Sequence, residues 1–103
     1  MKIYKSIKLE SKGFVTNKIL SETFLTLDID TDFTIFNNSK LYIDGMLLGT
    51  VQDIEHKFDL KTKKSKIDVY LFDTILTTFN SDDKCMWEKY HTFIEELKEL
   101  GFR

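Results

Sequence analysis

The chain has no proline and no alanine, a single cysteine, a single arginine and four glycines in 103 residues. The lone cysteine, Cys85, excludes an internal disulfide and fits a reducing compartment. Without proline the commonest blunting device for sheet edges is gone. Charged side chains must do that job, unless an edge is meant to pair with something. Alanine, proline and most arginine codons are GC-rich, whereas those for Lys, Ile, Phe and Asn are AT-rich. One arginine against fourteen lysines therefore points to a low-GC genome: a bacterium, its phages or its mobile elements. Long apolar runs are missing too. The opening MKIYKSIKLES lacks the uninterrupted core of a signal peptide, and no stretch approaches transmembrane length. The expected location is the cytoplasm, with a virion as the alternative.

No GxGxxG, GxxxxGK[ST], HExxH, GxSxG or CxxC occurs, so no catalytic residue, cofactor or metal site is expected. Composition bounds the rest. Apolar content of 42%, with 14% aromatics, argues for a folded chain, and 103 residues make one domain with one core. A net charge of −2 indicates neither a nucleic-acid-binding surface nor an acidic DNA mimic. Locally the charge is uneven. Residues 1–18 carry five lysines against Glu10, residues 22–59 carry eight acids against Lys40 and Lys57, and a basic knot follows at Lys61, Lys63, Lys64 and Lys66.

Periodicity supplies the architecture. Ile3, Ile7 and Leu9 alternate with Tyr4, Ser6 and Lys8, which predicts a half-buried strand over 2–10. Residues 14–26 would also make a short helical face at Ile19, Leu20, Thr23 and Phe24, but Phe, Val, Thr and Ile favour strand. Leu27, Ile29, Thr31, Phe33 and Ile35 alternate with Asp28, Asp30, Asp32 and Thr34 as a strand with one wet face, either continuous or broken near Thr31-Asp32. LYIDGMLLG predicts a hairpin about Asp44-Gly45. A strand over 50–60 follows, then a polar tip at 61–66, then one long or two short strands over 67–79. The last fifth is a helix over 81–101. Ser81, Asp82 and Asp83 favour its start, Gly101 its stop, and Met86, Trp87, Tyr90, Phe93, Ile94, Leu97 and Leu100 form one stripe. The expected class is α+β, mainly antiparallel: about seven strands in a sandwich or partly open barrel, closed by one C-terminal amphipathic helix.

Four groups of side chains could carry chemistry. Asp28, Asp30 and Asp32 share a strand face and could chelate a hard cation or meet a partner. An EF-hand loop would need Gly and a carboxylate where Phe33 and Ser39 stand, so that reading fails. Lys61, Lys63, Lys64 and Lys66 could meet phosphates as point charges, although no aromatic interleaves them for base stacking. Cys85 and His91 lie six apart on the helix and point in different directions, so they form no nucleophile–base pair. His91 and Glu95 make an i,i+4 pair, and His56 falls on the apolar side of its strand, as a core or rim histidine.

The segments FTIFNNSKLYIDG, GTVQDIEHKFDL, KIDVYLF and FNSDDKCMWEKYHTFIEEL, spanning Phe33–Leu97, resemble the pleckstrin-homology superfold in pattern. That resemblance implies a helix plugging a bent sandwich, Trp87 as its buried residue, and binding without catalysis. LYIDGMLLGTVQDI is also similar to hairpins of phage tail-tube subunits. The expected function is a non-enzymatic protein-binding module from a phage or mobile element, engaging a host or phage partner through Asp28, Asp30 and Asp32 or a free edge. The alternative is a self-assembling virion subunit that uses the Lys61–Lys66 tip.

Overall fold

The clean alternation of the first strand decides the layout of the molecule. The computed structural model describes residues 1–103 as β1 (Lys2–Ser11), β2 (Lys18–Asp28), β3 (Lys40–Ile43), β4 (Met46–Asp59), β5 (Lys64–Leu71), β6 (Thr74–Thr78) and α1 (Lys84–Glu99). In β1, Ile3, Ile7 and Leu9 are fully buried on one face, and Tyr4, Ser6 and Lys8 take the other. β2 runs antiparallel to β1, with a bulge where Ser21 faces Leu9 and Ile19 faces Glu10. On its other side β1 has two successive parallel partners, β5 at Lys2–Tyr4 and β6 at Ile7–Ser11. The sheet order is β2-β1-β5-β4-β3, one mixed sheet curled into a half-barrel.

Asp44 and Gly45 turn β3 into β4 with positive φ at both positions, as a primed two-residue hairpin requires. β4 is the longest strand. Its Met46–Thr50 half pairs with β3 and its Val51–Asp59 half with β5, with the register shifting at Gln52. Fourteen residues at about 3.3 Å each span about 46 Å. That length explains the 51 Å long axis of the molecule. β1 reaches β5 only from Asp68 onward, so His56–Asp59 and Lys64–Ile67 form a two-stranded ribbon beyond the sheet.

α1 packs Tyr90, Ile94 and Leu97 against the Ile3/Ile7/Leu9 face. Each large apolar side chain buried there contributes about 1.5–3 kcal/mol. Asp83 caps the helix, its carboxylate accepting from the Met86 amide at 3.3 Å. At the far end Gly101 takes φ 111°, and the Phe102 amide donates to Leu97 O. Phe102 is buried, and Arg103 exchanges two backbone hydrogen bonds with Thr26 at the margin of β2.

The expected α+β class is what the chain adopts, with four adjustments. There are six strands, in one curled sheet with parallel pairs in it. The strand foreseen through Ile35 stops at Asp28; Ile29 and Met1 exchange one further pair of bonds in line with β1, and the chain then leaves the sheet. The ambiguous 14–26 segment is strand from Lys18 onward. Trp87 is only partly buried and Tyr90 holds the helix to the core; the indole Nε1 donates to Ser81 O at 2.8 Å.

Candidate functional site

A single helix can cover only one face of a sheet. The opposite face of β2-β1-β5 is built from alternate residues and lies open. Register places Thr26, Tyr4 and Tyr70 in one row, with Phe24 beside Ser6 in the next. Glu22, Lys8 and Ile75 follow, then Ile19, Glu10 and Thr77. Tyr4 and Tyr70 stack at 4.6 Å between ring centroids, each covering the other's flank. Phe24 has no such shelter and is 71% exposed; Ile19 and Ile75 are each 50% exposed. Beside Phe24 lies a groove of about 300 Å³, lined by Tyr4, Ser6, Thr26, Gln52, Tyr70 and Asp73 among others.

The charges on this face are locally neutralised. Lys8 Nζ lies 3.0 Å from Asp73 and 3.6 Å from Glu22, and the hydrogen bond to Asp73 raises its pKa above the usual lysine value. Lys57 Nζ lies 2.9 Å from Asp68 and 3.3 Å from Glu55, and the bond to Asp68 holds it well above the lysine range. Burial pushes the Tyr70 phenol up, with Glu55 adding to the shift. Asp68 is fully buried and its Oδ1 has no hydrogen-bond partner within the chain; nor has the Ser6 hydroxyl.

Sequence reasoning missed Lys5. It stands on the apolar face between Ile3 and Ile7, 3% exposed, where β5 gives way to β6. Its Nζ donates to Phe72 O at 2.8 Å, the carbonyl of the crossing residue. Burial lowers its pKa to about 8, against the opposing pull of Asp73. The available signal was its odd position in an otherwise apolar row.

The foreseen site residues separate into two places. Asp28 ends β2, facing Lys2 across the register, at the edge of the bare face. Asp30 and Asp32 lie in the irregular segment after it, and Asp32 pairs with the amino terminus at 3.4 Å. The three carboxylates therefore share no strand face, and no three acidic, His or Cys side chains are grouped to hold a metal ion. Lys61, Lys63, Lys64 and Lys66 stand at the end of the ribbon, all exposed. Phe58 and Leu60 are exposed beside them, at 59% and 75%.

The two histidines stay apart. His56 is exposed and borders a cavity of about 430 Å³ with Met1, Asp32, Phe33, Ile54 and Ile67. His91 stacks on Trp87 at 5.9 Å and forms no ion pair with Glu95. Cys85 is exposed. No helix is long and apolar enough to cross a membrane. Comparison with known proteins finds no matching family model, no matching curated protein and no matching solved structure.

Proposed function

We propose that the chain is a non-enzymatic protein-binding module whose docking surface is the sheet face opposite α1, in a phage or mobile-element protein that acts on a host or phage partner. One observation carries this reading. Phe24 and Ile19 on β2 and Ile75 on β6, the strands that flank β1, stand exposed on the sheet face that the helix leaves open. Aromatic anchors supply most interface energy, and a rim of paired charges suits a partner of mixed charge. Lys8 and Lys57 each sit between two carboxylates, which leaves this face little attraction for phosphate. The pattern resemblance to pleckstrin-homology domains points the same way, toward binding without chemistry.

The test is a photo-crosslinking residue at Phe24, with a control at Glu95 on the exposed side of the helix, in cells that naturally make the protein. A discrete adduct with another protein from position 24 alone supports the reading. No such adduct, or equal adducts from both positions, removes it. Asp28→Lys with Asp30→Lys then asks whether the acidic margin takes part. Loss of the adduct includes those carboxylates in the interface, and an unchanged adduct excludes them.

A second reading, a self-assembling virion subunit, rests on the free edges. β6 pairs with β1 alone, and β2 meets only β1 and the two Arg103 bonds. Solution mass that grows across a hundredfold concentration range would favour it.

A further inference from the structure

The ribbon at the end of β4 and β5 is a charged element set apart from the body. Residues 57–66 carry five lysines against Asp59, and the remaining 93 residues carry ten cationic against sixteen anionic side chains. A chain of net −2 thus has an arm of +4 on a body of −6. The +4 already counts Asp59, whose Oδ1 accepts from the Lys61 and Thr62 amides and shapes the turn. Lys57 is engaged by Glu55 and Asp68. Lys61, Lys63, Lys64 and Lys66 form no ion pair at all.

We propose that this arm docks into the major groove of double-stranded DNA, with those four lysines on the phosphates. A two-stranded β-ribbon fits the major groove, which is about 12 Å wide. Four residue pairs extend beyond β1, a reach of about 13 Å before the turn is added. At physiological salt the Debye length is about 8 Å, so the Lys61–Lys64 end of the arm is screened from the acidic body, whereas Lys66, two pairs out at about 7 Å, stands nearer to it. Strand pairing and the Asp59 turn fix the arm before binding, which limits the ordering cost.

An anionic membrane fits less well. The apex is Lys61-Thr62-Lys63, exposed Phe58 and Leu60 flank it on one side only, and Lys64 and Lys66 run back along the other strand. The acidic row of a second copy also fits less well. Asp32 is already held by its own amino terminus, and Asp30 lies off the strand that ends at Asp28.

The experiment is fluorescence anisotropy of a labelled 20-base-pair duplex with the full chain, between 50 and 200 mM salt. Four released counterions predict a log–log slope of about −3 to −4. Lys61→Gln, Lys63→Gln, Lys64→Gln and Lys66→Gln together should weaken binding at least about tenfold and flatten the slope toward zero. All four positions are exposed, so the urea midpoint should not move. A control with Lys18, Lys40, Lys89 and Lys98 changed to Gln alters net charge equally and should stay within about twofold. No duplex binding at 50 mM salt overturns the proposal, as does equal loss in both quadruple variants. Binding to anionic vesicles without binding to the duplex overturns it in favour of a membrane. Growth of solution mass that the four Gln substitutions abolish, without duplex binding, overturns it in favour of a second copy. Duplex RNA, whose major groove is deep and narrow, should compete at least about tenfold less well. Equal competition overturns the groove assignment.

Discussion

Lys5 and Gly49 are complementary: a Cβ built on Gly49 would stand 2.7 Å from Lys5 Nζ. The strand that carries Gly49 passes over the point where β5 hands β1 to β6, and the buried ammonium fills that gap. Gly49 also holds φ at 147°, a conformation that side chains rarely adopt. Gly49→Ala should therefore destabilise the fold by about 1–3 kcal/mol, through strain and displacement of the amine together. Urea unfolding measures it, and an unchanged midpoint would mean that neither the backbone strain nor the displaced Lys5 amine costs the fold stability.

The buried Lys5 amine makes stability depend on pH. Its folded pKa lies near 8, below the ordinary value of 10.5. Below pH 8 both states hold the proton, and the folded state carries the full cost of a buried charge. Between about 8 and 10.5 the folded state releases the proton while the unfolded state keeps it, so stability rises with pH. Above that window both states are neutral and the cost is gone. The rise should be about 1–3 kcal/mol. Tyr70, raised by burial, acts in the opposite sense at the upper end. The quantity to measure is thus the difference between wild type and Lys5→Met in urea unfolding from pH 7 to 10.5. A constant difference across the series would show that the amine does not titrate there.

Tyr90 joins the helix to the second strand of the sheet. Its hydroxyl lies 2.6 Å from Thr23 Oγ1 and accepts from Ser21 Oγ at 3.0 Å, while its ring is 1% exposed. Tyr90→Phe keeps the packing and removes the polar anchor, with a cost of about 1–2 kcal/mol. Tyr90→Ala should cost about 3–5 kcal/mol, as for other buried aromatics. Thermal or urea unfolding of the pair separates the hydroxyl from the ring.

The Lys57–Asp68 pair should show a non-additive cycle. Lys57→Met leaves the fully buried Asp68 carboxylate without its only hydrogen-bond partner. Changing both residues, to Met and Leu, removes the uncompensated charge. The double variant should therefore have the higher urea midpoint of the two. The reverse order would show that water already solvates Asp68.

Much of this fold was legible because local rules suffice for it. Alternation marked β1, the Asp44-Gly45 dipeptide marked its hairpin, and the apolar stripe with Gly101 marked α1 and its stop. Alternation misled at Asp28–Ile35: Ile29 and Ile35 are half-buried, but Thr31 and Phe33 are exposed like the acids between them, and no strand forms. No local rule distinguishes a strand's wet face from a segment that wraps past the sheet. Trp87 misled for a related reason: its size suits a core, but its position on the helix turns it to the rim.

The sequence alone determined the class, the single terminal helix, the turns and the basic knot, because each depends on neighbours a few residues away. The tertiary structure decided the parallel pairing of β1 with β5 and β6, which comes from strands far apart in the chain. It decided that the helix covers one face and leaves Phe24 bare on the other. It also buried a lysine between Ile3 and Ile7, and set four others on an arm beyond the body. Those outcomes depend on which strand ends where, and only long-range packing sets that.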